Sequence, residues 1–146
     1  MKKFSFELEQ ILELRNFEKQ EAELELGKAL AVENEIQECL NAIAMKYASL
    51  KQSMKGSLDF NDFMSLNRHN QLLDSQKEDY LNQLSQAKLV TEQKRKILQE
   101  CLKKTETLEK LKEAKKEEYK KAVEAEDSKY LEELSTIHSN SSNLEI

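Results

Sequence analysis

The chain has 146 residues, 35% of them charged and 38% hydrophobic, with a mean hydropathy of -0.77 and a formal charge of -5. An ordinary globular domain carries about 45–50% apolar and about 25% charged residues, so this composition cannot fill a thick core. Proline and tryptophan are absent and glycine occurs twice, which excludes β-rich folds and catalytic α/β architectures with Gly-bearing loops, and leaves helices free to run long.

The opening MKKFSFELEQ meets Glu7 and Glu9 before any apolar run develops, so it does not read as a secretory signal. No later stretch approaches the ~18 apolar residues of a membrane span, and the protein is expected on the cytoplasmic side. Steps of seven from Ala22 give Ala29, Ile36, Ile43 and Leu50; four residues after each come Leu26, Glu33, Leu40, Tyr47 and Met54. Nine of these ten are apolar, against about four expected from a 38% composition. Residues so spaced share one helical face. Leu8 and Leu12 extend the stripe backwards, across Arg15 and Lys19. The spacing predicts one helix over residues 4–54, about 75 Å long at ~1.5 Å per residue.

A turn is expected over 55–58. Gly56 can supply the positive φ that ends a helix, and Ser57, Asp59 and Asn61 are candidate N-caps for the next. Gly27 lies inside the stripe and is not a boundary. The second stripe runs Leu66, Leu73, Tyr80, Ala87, Lys94, Cys101, Leu108, Lys115 and Ala122, seven of nine apolar. Phe63, Leu84, Val90, Ile97, Leu98, Leu111 and Tyr119 thicken it. A helix over 59–137 follows, and the polar, aperiodic residues 138–146 are expected to be disordered.

A turn this short makes the helices antiparallel neighbours. The expected fold is all-α: an elongated two-helix antiparallel coiled-coil hairpin, 1–137, with the second helix longer and a disordered C-terminal tail. With the reversal centred on Ser57, residue i should face about 114 minus i. Glu7–Gln20 (net -2) then lies opposite Lys94–Thr107 (net +3). The second helix should overhang the first beyond about Leu111.

Chemistry is not expected of this chain. His69 and His138 lack convergent metal or catalytic neighbours. Cys39 should face about residue 75, not Cys101, and both cysteines read as small seam residues. Carboxylate pairs such as Glu23/Glu25 and Glu117/Glu118 are solvated, without the exclusion of water that shifted acid–base groups need. No glycine-rich phosphate cradle exists. No metal, cofactor or small-molecule substrate is expected, and no nucleic acid, because glutamates interleave the basic residues. The segment Lys94–Lys121, with eleven basic and six acidic residues, reads equally as a solvated face or a contact for an acidic protein surface.

Unfinished apolar surface is the more informative feature. Phe4 and Phe6 lie at the free end. Near the turn, Ile36, Leu40, Ile43 and Tyr47 meet Leu66, Asn70, Leu73 and Lys77. Two helices cover such stripes on one side only, and wet apolar patches mark binding sites. These residues can be seam, partner contact or both.

The opening Phe4-x-Phe6-x-Leu8-x-x-Ile11-Leu12-x-Leu14-Arg15-x-x-Glu18, with Glu21-Ala22 and Leu24-x-Leu26, resembles the N-terminal signature of the FliJ family of the bacterial flagellar type III export apparatus. Leu108-Glu109-Lys110-Leu111-Lys112-Glu113, with Tyr119 downstream, resembles its C-terminal signature. The likeness covers residues 4–135; the acidic stretch after Tyr119 follows the family pattern loosely. The resemblance implies a non-enzymatic stalk whose end bearing both termini inserts into the hexameric export ATPase ring. Its other end would reach the membrane export-gate protein, and it would handle export chaperones. It implies a place on the cytoplasmic face of the cell membrane at the flagellar base, with membrane contact through partners alone. Phe4, Phe6, Leu8, Ile11, Arg15, Leu108, Lys110, Leu111, Lys112 and Tyr119 would then face the ring. Ile36, Leu40, Ile43, Tyr47, Leu66, Asn70, Leu73 and Lys77 would face the gate. The rival readings are a stand-alone coiled-coil scaffold, favoured by homodimerisation into a four-helix bundle, and a hairpin chaperone for unfolded cargo.

Overall fold

The computed structural model describes residues 2–56 and 59–144, with side chains to residue 142. It is all-α: α1 spans Glu9–Ser53 and α2 spans Phe60–Leu144. Two compact units divide the chain, Lys19–Glu100 and Met1–Glu18 with Cys101–Ile146.

In the unit Lys19–Glu100, α1 and α2 pair antiparallel through one seam. Its α1 side is the expected stripe: Ala22, Ala29 and Ile43 are buried, and Leu26, Glu33, Ile36, Leu40, Tyr47 and Leu50 are half-buried. Met54, the stripe's last member, is exposed. The α2 side uses Leu66, Asn70, Leu73, Tyr80, Leu84, Ala87, Thr91, Lys94 and Leu98. Thr91 is buried where an apolar residue was expected, while Phe63, Val90 and Ile97 turn out to be exposed. The Thr91 hydroxyl donates 3.0 Å to the Ala87 carbonyl of its own helix, so burial leaves it satisfied.

The register differs from expectation. Lys94 pairs with Glu25 at 3.8 Å and the Tyr47 hydroxyl donates to Asp74. Residue numbers across the seam therefore sum to 119 and 121 rather than 114. The cause lies at the reversal. Residues 59–65 are all exposed and Leu66 is the first half-buried position of α2, so the first turns of α2 take no part in the seam.

The reversal also uses different devices from those expected. The end of α1 tightens, with Lys55 N–H donating to the Gln52 carbonyl at 3.3 Å. Gly56 has no positive φ. Asp59 is the N-cap of α2: its Oδ1 accepts from Asp62 N–H at 2.8 Å, and its carbonyl accepts from Phe63 N–H at 3.0 Å. Asn61 lies inside α2, and Ser57 lies outside the described residues.

In the unit Met1–Glu18 with Cys101–Ile146, the expected helix start at residue 4 is displaced to Glu9. Residues 3–8 alternate between exposed and half-buried, with Phe4, Phe6 and Leu8 on the covered side. That is the period of extended chain. A helix would set Phe4 and Phe6 some 200° apart (at about 100° per residue) and cover one of them; the extended arm covers both. Glu9 N–H closes the arm on the Phe6 carbonyl at 3.1 Å.

Leu12 and Thr105 are buried at this unit's seam, with Leu108, Lys112 and Tyr119 half-buried along α2. Lys112 pairs with Glu9 at 2.8 Å, again a numbering sum of 121. Lys115 and Ala122, expected on the stripe, are exposed; Val123 is half-buried instead. Residues 138–144, expected to be disordered, are helical to Leu144. Residues 145 and 146 lie outside the described residues.

Candidate functional site

Two surfaces gather the predicted contact residues, one in each unit. In the unit that holds both terminal segments, the arm lies against α2. The Phe4 ring packs on Tyr119 with centroids 5.6 Å apart at an interplanar angle of 56°, a tilted geometry that suits the ring quadrupoles. The Tyr119 hydroxyl donates to the Lys2 carbonyl. Both contacts pin the arm ahead of α1, which it joins where the Leu8 carbonyl accepts from Leu12 N–H at 2.9 Å. Between arm and helix runs a groove of about 560 Å³, lined among others by Phe4, Phe6, Leu8, Leu111, Lys115 and Tyr119. Lys2, Lys3, Glu7 and Glu118 also line it, and Lys115 pairs with Glu118 along α2 at 3.5 Å.

A second depression in this unit, about 330 Å³, is bounded by Ile11, Arg15, Lys103, Lys104, Thr107 and Leu108. Arg15 is held by Glu18 at 3.0 Å. Ile11 and Leu111 are exposed apolar groups. Lys110 points to solvent and pairs with Glu106 at 3.0 Å. All ten residues expected at the ring-facing end thus fall in this one unit: Phe4, Phe6, Leu8, Arg15, Leu108, Lys112 and Tyr119 half-covered, and Ile11, Lys110 and Leu111 open.

The eight residues expected at the gate all fall in the unit Lys19–Glu100, but they play unequal parts. Ile43 and Leu73 are buried seam. Ile36, Leu40, Tyr47, Leu66 and Asn70 are half-buried and Lys77 is exposed. Tyr47 is the polar centre of the group. Its hydroxyl donates to Asp74, and Lys77 Nζ stands 6.0 Å from its ring centroid. The hydrogen bond to Asp74, then desolvation and the Asp74 charge, push the Tyr47 pKa up to about 12. A depression of about 430 Å³ opens beside it, lined by Cys39, Ile43, Lys46, Asp79, Tyr80 and others. Hydrogen bonding with Cys39 raises the Tyr80 pKa. Cys39 therefore lies beside Tyr80, and not residue 75, as the shifted register requires.

An apolar cluster at the reversal went unrecognised as a surface in the sequence. Met54, Phe60, Phe63 and Met64 are all exposed there. The spacing of Phe60, Phe63 and Met64 (i, i+3, i+4) marks one helical face.

His69 and His138 are exposed, and Cys39 and Cys101 are free thiols. Among the described residues no group of three or more His, Cys, Asp or Glu is placed to hold a metal ion, and no helix is long and apolar enough to cross a membrane.

Comparison with known proteins gives one family. A family model described as "Flagellar FliJ protein" matches residues 4–144. No curated protein and no solved structure matches the chain. The family is structural or chaperone-like, not a known enzyme family, and its members are components of the flagellar export apparatus. The match begins at Phe4 in the arm and ends at the last described residue of α2, so it takes in both units: the chain belongs to the flagellar FliJ protein family.

Proposed function

We propose that this protein is the non-enzymatic central stalk of the flagellar type III export apparatus, with the unit of the two terminal segments seated in the hexameric export ATPase ring. The observation that carries this reading is the Phe4–Tyr119 pair, with its wet groove and the half-covered Phe6 and Leu8 beside it. An arm pinned by one ring contact and one hydrogen bond leaves apolar surface that a partner can finish. A single stalk in a six-fold ring touches its subunits unequally. It stabilises whichever subunit conformation it binds best, by the difference in affinity, and so promotes ring assembly and turnover.

The unit Lys19–Glu100 serves the membrane export gate. There Ile36, Leu40, Tyr47, Leu66, Asn70 and Lys77 supply the contact, while Ile43 and Leu73 hold the seam beneath it. Export chaperones are further partners. The protein works at the cytoplasmic face of the membrane, peripheral to it through these partners.

Hydrolysis and ring assembly by the purified export ATPase test the ring contact. Addition of the wild-type chain should stimulate both, and Phe4→Ala with Phe6→Ala should abolish most of that stimulation with helicity unchanged. Full stimulation by the double variant would overturn the assignment. Binding to the gate protein should be weakened by Tyr47→Ala while ATPase stimulation survives.

A further inference from the structure

We propose that the α2 face carrying Val123, Tyr130, Leu134 and Ile137 is a docking site for a basic amphipathic helix. The inference goes beyond the stalk reading and does not depend on it. Spacings of seven, four and three place these four residues on one seam-like stripe. Among the described residues, Val123 at its start is half-buried and the rest of the stripe is open. The Tyr119 hydroxyl reaches the Lys2 carbonyl, and residues 124–142 are all exposed among those described. Tyr130, Leu134 and Ile137 are 61%, 44% and 64% exposed, and Leu131 beside them 64%. A helix of this length is marginal in water without a packed face, so an apolar repeat maintained past the last covering residue points to a helix supplied from outside.

Charge selects the occupant. Residues 123–137 hold five acidic side chains and one lysine. Asp127 takes the stripe position between Val123 and Tyr130, and Glu124 and Glu133 flank the stripe. A second copy of this chain would set carboxylate against carboxylate along the whole contact and bring two Asp127 groups towards the seam. A partner with Lys or Arg opposite Asp127 and along its flanks removes both costs. The occupant is therefore a protein helix with an apolar heptad stripe and basic edges.

The test uses the full chain and two synthetic three-heptad peptides, each with Leu at both core positions of the heptad. One carries Lys on its flanks and the other Glu, and binding is read by fluorescence anisotropy. The Lys peptide should bind at least about tenfold more tightly than the Glu peptide. Leu134→Ser with Ile137→Ser should cost the Lys peptide a factor of about ten or more. The triple variant Glu124→Lys, Asp127→Lys, Glu133→Lys keeps the apolar stripe and should reverse the preference. Equal binding of the two peptides, Lys-peptide binding that survives loss of Leu134 and Ile137, or an unchanged preference in the triple variant would each overturn the proposal. So would a wild-type dimer in sedimentation that Leu134→Ser with Ile137→Ser converts to monomer.

Discussion

The Thr105 hydroxyl donates a 3.3 Å hydrogen bond to the main-chain carbonyl of Arg15, linking α2 to α1 at a position only 3% exposed. Thr91, equally buried, instead bonds back to Ala87 in its own helix. Two threonines at equivalent seam positions thus satisfy their hydroxyls in different ways. Replacement by Val keeps the shape of each and adds the same apolar gain. Thr105→Val also removes a bond between helices, so it should be the less stable variant by about 1 kcal/mol. Urea midpoints of the two variants, compared with each other, measure this difference.

Tyr47 provides a pH test. Its pKa is raised to about 12 from an ordinary 10.0. A phenol that holds its proton more tightly when folded contributes its stability in full below the unfolded value. That contribution falls as pH rises from about 10 towards 12. Asp74→Asn keeps an acceptor and removes the charge, and should move the Tyr47 transition back towards 10 in an ultraviolet phenolate titration. The alkaline loss of stability should shrink with it.

Burial in a two-helix seam is concentrated in few residues. Ile43 and Leu73 are 4% and 3% exposed, whereas Met45 points outward. Ile43→Ala and Leu73→Ala should each cost about 2–4 kcal/mol, and Met45→Ala less than about 0.5 kcal/mol. Chemical denaturation separates them. If Ile43→Ala weakens gate binding, the loss should track its loss of helicity, while Tyr47→Ala should weaken it with helicity intact.

Asp59 caps α2 through the Asp62 amide. Asp59→Ala should destabilise the protein by about 1 kcal/mol, and Asp59→Asn by much less, because Asn keeps the accepting oxygen. Hydrogen exchange should show the extra opening in the first turns of α2, next to the exposed Phe60 and Phe63.

The α1 seam was legible in the sequence because its repeat is apolar almost throughout; Ala22 to Leu50 lie where the heptad spacing puts them. The α2 seam was harder to read. Thr91 and Thr105 are polar by type yet buried, and the neighbouring Val90 and Ile97 are apolar yet exposed, so hydropathy selected the wrong pair. The register slipped because a reversal's midpoint in sequence is not its midpoint in space: residues 59–65 are exposed and take no part in the seam. The arm falls inside the expected helix 4–54 although Phe4 and Phe6 repeat every two residues, a signal too short to stand out from the helix that follows. The stripe over Val123–Ile137 was hidden by its charge density, since Asp127 interrupts it. The family signatures at both ends were legible, and the comparison bears out the family they point to.

Site-specific photo-crosslinking in cells tests the central claim most directly, with the crosslinker placed at Phe4 in one strain and at Tyr47 in another. The account expects Phe4 to capture the hexameric export ATPase and Tyr47 to capture the membrane export-gate protein. Capture of the gate protein from Phe4 and of the ATPase from Tyr47, or capture of neither by either position, would contradict it.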